Sequence, residues 1–317
     1  MIERPVKIAV VGACHLDRKA RAAAPFVAGA SNPVALRGCP GGVARNAAEN
    51  LARLGATVAL VSRLGADAEG DAMLEALRAL PLDLRGLTRS QEAPTAFHLI
   101  ALQPDGEMLV AVADMRIYDE ITPALLQGLP ADLWEADAIF ADCNLPAETL
   151  GFLAGLRRGS RRLAVNGVSP AKVRRLRPLL GACDLLFVNR QEAAALLETA
   201  AQGLDPAAAA AALLAAGAGE VVMTLGDAGI CVARSDEAGA KEAGAKETVM
   251  LENFDNRVVD ITGAGDALAA AFLEARLRGC DPATAGRRAL AAARLTVETL
   301  DSVSPALTPG ALDRLAS

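Results

Sequence analysis

Asp260-Ile-Thr-Gly-Ala-Gly-Asp266 runs without a break into Ala267-Leu-Ala-Ala-Ala-Phe-Leu-Glu-Ala275, a turn that opens an apolar helix. Gly263 and Gly265 allow backbone conformations that a Cβ obstructs, so successive N–H groups can converge at the helix start. Such a terminus carries partial positive charge and suits an anion, above all a phosphoryl group in transfer. Asp266 falls where those donors converge. A carboxylate there repels the anion, and a general base toward an attacking hydroxyl is a role that accounts for it. The plain reading is an Asp that favours a helix start. The rest of the chain has to decide between the two.

The 317 residues are enough for a large core, in one α/β domain or two smaller ones. Composition is 52% apolar but only 3% aromatic, so that core is aliphatic. A net charge of −6 leaves no basic footprint for nucleic acid, although a local anion site is compatible with an acidic surface. Cys14, Cys39, Cys143, Cys183, Cys231 and Cys280 stand singly with no CxxC spacing. That argues against a disulfide framework or zinc knuckle and for a reducing, cytoplasmic setting. His15 and His98 are the two histidines, too few for a His-based metal centre. Met1-Ile-Glu-Arg-Pro-Val-Lys7 breaks its apolar run with charges, unlike a signal peptide. The most apolar later run, Ala207 to Ala218, is shorter than a membrane span. The expectation is a soluble cytoplasmic protein with no membrane partner.

Val6 to Gly12 reads as a buried strand opening a parallel sheet. Gly12 leads into Ala-Cys-His-Leu-Asp17 rather than GxGxxG, which disfavours a dinucleotide site and an NAD-linked oxidoreductase. Residues 17–40, with Pro25, Gly29, Pro33 and Pro40, look irregular, with short strands projecting from the main sheet. Next, Cys39-Pro-Gly-Gly precedes a helix whose apolar face is Val43, Ala47, Leu51 and Leu54. Gly41 and Gly42 let a ligand approach the backbone, and Asn46 points back toward that entrance; a plain loop with a surface Asn46 is the alternative. Thr95 to Leu102 and Met108 to Ala113 read as a hairpin about Gln103-Pro-Asp-Gly106. Together with 17–40 it suggests a small second sheet, a lid.

Strand and helix then alternate. Asp184 to Val188 ends in Asn189-Arg-Gln-Glu192, whose Asn/Glu pair can organise Mg²⁺ and phosphate or simply form a capping box. Glu220 to Leu225 leads into Gly226-Asp-Ala-Gly229, a turn with room for a nucleotide. The tandem repeat Glu237 to Glu247 reads as a solvated, mobile loop. An Ala-rich helix closes near Glu298.

There is no GxxxxGK[ST], so this is not a P-loop chain. Three Gly-bearing turns, the Asn/Glu pair and Gly-Ala-Gly-Asp all follow strands of one sheet, where α/β ligands bind. In this order, from Gly12 to Pro305, they resemble the ribokinase-like (PfkB-type) carbohydrate and nucleoside kinase family. The resemblance implies one three-layer α/β/α domain over 1–317, with a small β-sheet lid from about 13–40 and 91–118. It implies Asp266 as catalytic base, with the amides of Gly263, Ala264 and Gly265 as anion hole. Asn189, Thr224, Gly226 and Gly229 become nucleotide contacts, and Glu192 the residue that organises the metal. Asp17, Gly41, Gly42 and Asn46 become the substrate site, Asp17 accepting from two vicinal hydroxyls. ATP as donor, Mg²⁺, a monovalent cation such as K⁺ and a homodimer through the lid follow from the same likeness. Gly41 to Gly55, Ala113 to Asp119, Val168 to Lys172 and Leu295 to Pro305 are similar to the branch of the family that acts on pseudouridine, implying transfer to its 5′-hydroxyl. The chain differs from the family pattern at His15, at Asn166-Gly167 and at Ile261; the first two bear on the base pocket. Another nucleoside, a free sugar or a non-catalytic ligand sensor of the same fold are the rivals.

Overall fold

The computed structural model describes residues 4–157, 159–235, 247–255 and 257–316. Its frame is a nine-stranded sheet in the order β13-β12-β11-β10-β9-β8-β1-β4-β5. In chain order these are β1 (Lys7–Val11), β4 (Thr57–Gly65), β5 (Leu82–Ser90), β8 (Ala138–Asp142), β9 (Arg162–Asn166), β10 (Leu185–Asn189), β11 (Glu220–Thr224), β12 (Ile230–Arg234) and β13 (Glu247–Leu251). Pairing is parallel from β5 across to β11, and antiparallel where β12 and β13 are added.

Alternation along the central strands makes the layers. Ala9 and Val11 join a core with Ile139, Val165, Leu186 and residues of α4 (Ala147–Gly155), α6 (Arg190–Leu197) and α7 (Pro206–Ala215). Ile8 and Val10 join Phe140, Phe187 and residues of α1 (Val43–Arg53), α8 (Ala264–Leu277) and α9 (Pro282–Val297) on the other side. A strand buried on both faces needs apolar residues at every position, which is why these strands read as continuous runs. Phe187 stacks edge-on against Phe272, at 5.9 Å between centroids, where β10 meets α8. Four further helices add single buried faces to these cores: α2 (Ala68–Arg78), α3 (Pro123–Gln127), α5 (Pro170–Val173) and α10 (Pro309–Ala316).

The second sheet has the order β3-β2-β6-β7, from β2 (His15–Ala22), β3 (Val34–Gly41), β6 (Phe97–Leu102) and β7 (Met108–Asp114). Residues 17–40 are therefore more regular than their composition suggests: two eight-residue antiparallel strands occupy most of them. Pro25, Gly29 and Pro33 fall in the connection, and Pro40 sits on edge strand β3, where a missing N–H is tolerated. Two strands lacked a sequence expectation. Leu82–Ser90 and Glu247–Leu251 are the two edges of the main sheet, and edge strands lack the apolar run that marks interior ones. The Glu237–Glu247 repeat lies outside the described residues except for Glu247, which begins β13.

Candidate active site

Two helix N-termini meet at the carboxyl edge of the main sheet. Gly263 is the N-cap of α8 at φ 82°, and a Cβ there would lie 2.0 Å from the Ser302 carbonyl oxygen, so glycine is required. Gly42 caps α1 at φ 96°. Asp266 stands in the first turn of α8 and Asn46 in the first turn of α1; the Asn46 amide donates to Asp266 Oδ2 at 2.9 Å. Burial pushes the Asp266 carboxyl up to about 7; the Asn46 hydrogen bond opposes that rise, and the Asp142 and Asp17 carboxylates add to it. Asp266 is half-buried, so water in the open cleft moderates the rise and ligands that fill the cleft restore it. A carboxylate tuned to neutral pH can take a proton from a hydroxyl.

On one side of Asp266 lies a cavity of about 320 Å³, lined by Asp17, Gly42, Asn46, His98, Lys172 and Asp266 among others. Asp17 is buried, with His15 Nε2 3.4 Å and His98 Nδ1 3.2 Å from its Oδ1. Burial opposes its ionisation, but the hydrogen bonds from the two imidazoles together outweigh burial and hold it well below the usual carboxylate range. His15 Nδ1 in turn lies 2.9 Å from the buried Tyr118 hydroxyl, which accepts from the Cys14 amide at 2.9 Å. Gly41 stands behind the carboxylate: its Cβ would be 2.0 Å from Asp17 Oδ2.

On the other side a cavity of about 170 Å³ is shared by Asp266, Gly265, Asn189, Glu192 and Thr224. It continues, through Asn189, Thr224 and Gly265, into a third of about 510 Å³ that reaches Gly226, Gly229 and Ala264. Ile230, Val258, Leu290 and Val297 make part of this last wall apolar, as a flat ring system requires. Every residue of the expected site except Gly41 thus lines one continuous cleft, with Asp266 at the junction.

The Asn189/Glu192 pair is a capping box. The Asn189 side chain accepts from the Glu192 amide at 2.9 Å, and Glu192 accepts from the Asn189 amide and side chain, both at 2.9 Å. The capping-box reading of Asn-x-x-Glu therefore holds, and the box also faces the cleft. Burial raises the Glu192 carboxyl, against those hydrogen bonds. Among the described residues no group of three or more His, Cys, Asp or Glu side chains could hold a metal. The donor set fits an ion carried mainly by phosphates and water, as Mg²⁺ usually is, since the Glu192 carboxylate lines the cavity and has acceptor capacity beyond its bonds to Asn189.

Several residues of the cleft went unpredicted. Asp142, at the end of β8, accepts from the amides of Ala13 (2.8 Å), Ala44 (3.1 Å) and Asn144 (2.9 Å), and so ties the first loop to the start of α1. Its position at a strand's carboxyl end was the available signal. Lys172 donates to Asn144 Oδ1 at 2.5 Å, with burial lowering its pKa. Val168 lines both inner cavities at φ 67°, an outlier for a β-branched residue that sequence cannot reveal. Lys19 of β2 pairs with Asp260 and donates to Thr262 Oγ1 at 2.7 Å, tying the small sheet to the turn before Gly263.

Cavities that meet at a helix N-terminus beside one carboxylate, at the carboxyl edge of an α/β sheet, are an arrangement that suits a phosphotransferase. The chain belongs to the family described as pfkB family carbohydrate kinase, which matches residues 6–309. It is an enzyme that phosphorylates an alcohol group, in a ribokinase-like fold. It is 30% identical over 264 residues to pseudouridine kinase of Escherichia coli, spanning 83% of this chain and 81% of that one. A carbohydrate kinase from Agrobacterium tumefaciens superposes with a TM-score of 0.80 at 31% identity, over 98% of this chain and 97% of that one. Arabidopsis thaliana ribokinase complexed with ribose and ATP gives 0.81 at 22% identity, over 99% of each chain.

Proposed function

We propose that this chain transfers the γ-phosphoryl group of ATP to the 5′-hydroxyl of a ribonucleoside, with pseudouridine as substrate. The observation that carries the reading is Asp266, raised to about 7 and held by Asn46 at the junction of the two cavities. ATP lies along Thr224, Gly226, Gly229 and Asn189, its γ-phosphoryl against the amides of Gly263, Ala264 and Gly265. The substrate hydroxyl attacks phosphorus as its proton passes to Asp266, the bond to the β-phosphate oxygen breaks, and ADP leaves. Glu192 would help hold the Mg²⁺ that comes with the nucleotide, which would supply neutralisation of phosphate charge; a monovalent cation such as K⁺ would complete the proposed ion requirement. Asp17 accepts from the 2′- and 3′-hydroxyls, since an ionised carboxylate offers two acceptor oxygens to a vicinal diol. Gly41 gives Asp17 room, and Gly42 and Asn46 close the sugar side.

The likeness to the Escherichia coli pseudouridine kinase supports the choice of substrate. A diol-binding Asp17 also fits ribose and other ribonucleosides, and that is the second reading. ADP release with Mg·ATP across pseudouridine, uridine, cytidine, adenosine, inosine, ribose and fructose 6-phosphate tests both. Preference for pseudouridine supports the first; preference for another member replaces the substrate and keeps the base; ATP binding without turnover favours a ligand sensor.

We also propose a homodimer through the small sheet and a cytoplasmic site of action. Leu36 of β3 and Met108, Leu109, Val110 and Val112 of β7 are exposed apolar residues on the two edge strands of that sheet. All six cysteines are free, and among the described residues no helix is long and apolar enough to cross a membrane. A monomer by light scattering would remove the dimer.

A further inference from the structure

Asp17 Oδ1 carries two imidazoles, and they are not equivalent. Because an ionised carboxylate only accepts, the nitrogens facing it, His15 Nε2 at 3.4 Å and His98 Nδ1 at 3.2 Å, each carry a hydrogen. His15 is engaged at both ends, since its Nδ1 lies against the buried Tyr118 hydroxyl at 2.9 Å. His98 is engaged at one. Its ring lines the 320 Å³ cavity, about a third of its side chain is exposed, and its Nε2 has no partner among the described residues. A ring whose single hydrogen sits on Nδ1 presents Nε2 as a bare acceptor.

Apart from the Asp17 and Asp266 carboxylates, which the proposed reaction uses, the neighbouring polar side chains are donors or already paired. Lys172 has only N–H groups; Asn144 gives its amide to Asp142 at 2.8 Å and its oxygen to Lys172 at 2.5 Å. With Asp17 assigned to the sugar hydroxyls and Asp266 to the attacking hydroxyl, the side chains left for the rest of a ligand include one acceptor, His98, and one cationic donor, Lys172. That pair complements an N–H beside a carbonyl, the pattern along the edge of a uracil ring.

We propose that His98 Nε2 is the specificity-determining acceptor for an N–H on the edge of the substrate's base, and that it selects a C-glycosidic uracil over its N-glycosidic isomer. In the C-glycoside a ring N–H occupies the position at which the N-glycoside has C–H. This inference rests on the nucleoside-kinase reading and assigns its base contact.

The test compares kcat/KM for pseudouridine, uridine and N1-methylpseudouridine in the unaltered protein, His98→Leu and His98→Gln. In the unaltered protein, N1-methylpseudouridine falls to the level of uridine, a comparison that depends on no variant folding. In His98→Leu the pseudouridine-to-uridine ratio collapses by roughly ten- to a hundredfold, the cost of an unanswered donor, and His98→Gln restores part of it. An equal loss for both nucleosides in His98→Leu, or full activity with N1-methylpseudouridine, overturns the inference while leaving the kinase reading in place. No turnover of pseudouridine by an unaltered protein that phosphorylates another substrate overturns the substrate reading and this inference with it.

Discussion

The Asn46 amide and the Asp266 carboxylate, 220 residues apart in sequence, meet at 2.9 Å across the first turns of α1 and α8. The contact orients the carboxylate and opposes the rise in its proton affinity that burial causes, because a donor to a carboxylate favours the ionised form. Replacing Asn46 with Leu removes that donor, so the Asp266 value rises above about 7. The acidic limb of the kcat/KM profile, which reports the free enzyme, then moves to higher pH by up to about one unit. An unshifted limb in the variant would show that another group governs it.

Asp266→Asn separates stability from turnover. The carboxyl value is 3.8 in an unfolded chain and about 7 in the folded one, so the folded state holds the proton more tightly. Stability is therefore lost progressively as pH rises from 3.8 to about 7, and the full cost applies above that. Removing the charge stabilises the protein by about 2 kcal/mol at pH 8, once solvent in the cleft is allowed for, and by little at pH 4. Phosphoryl transfer falls by roughly 10²–10⁴-fold as the base is lost. Thermal melts at both pH values, beside single-turnover rates, check the two halves; a variant less stable at pH 8 contradicts the first.

What sequence made legible was the chain's glycine punctuation. Gly42, Gly226, Gly229 and Gly263 all have positive φ, and each marks a place where backbone meets ligand space or other backbone. The aliphatic runs of β1, β8 and β10 were readable because a strand covered on both faces has no polar position. The small sheet was harder: β3 is exposed along most of its length, so its residues carry no burial pattern. His98 and Lys172 were illegible as site residues. Each is a single polar side chain whose role depends on contacts with residues 81 and 28 positions away, Asp17 and Asn144. Asn189 and Glu192 show the converse, a local pattern whose plain explanation is true and whose position in the cleft only the fold supplies.

Gly263 and Gly265 make a paired test of the proposed anion site. Gly263→Ala forces a side chain into positive φ with its Cβ 2.0 Å from the Ser302 carbonyl, and costs roughly 2–4 kcal/mol of stability. Gly265 is exposed, and a Cβ on it meets nothing within 4 Å, so Gly265→Ala folds with an unchanged or higher melting temperature. Its methyl group enters the space assigned to phosphate and lowers turnover by roughly 10²-fold. Equal melting temperatures for the two variants would remove the steric distinction. Normal turnover in Gly265→Ala would remove the phosphate from this turn.

Lys19 and Asp260 form a nearly buried pair between the small sheet and the turn, with side chains 13% and 18% exposed. Asp260 also accepts from the Thr262 amide at 2.9 Å, one residue before Gly263, so the pair orients the turn that leads into α8. Removing one partner leaves a desolvated charge, which is worse than removing both. Lys19→Met and Asp260→Asn therefore each lower kcat/KM, and the double variant is no worse than the poorer single one. The cycle gives a coupling of about 1–3 kcal/mol, as expected for groups acting as a unit. Additive losses would mean that the two residues act separately, and that the small sheet holds substrate without setting the geometry of the turn.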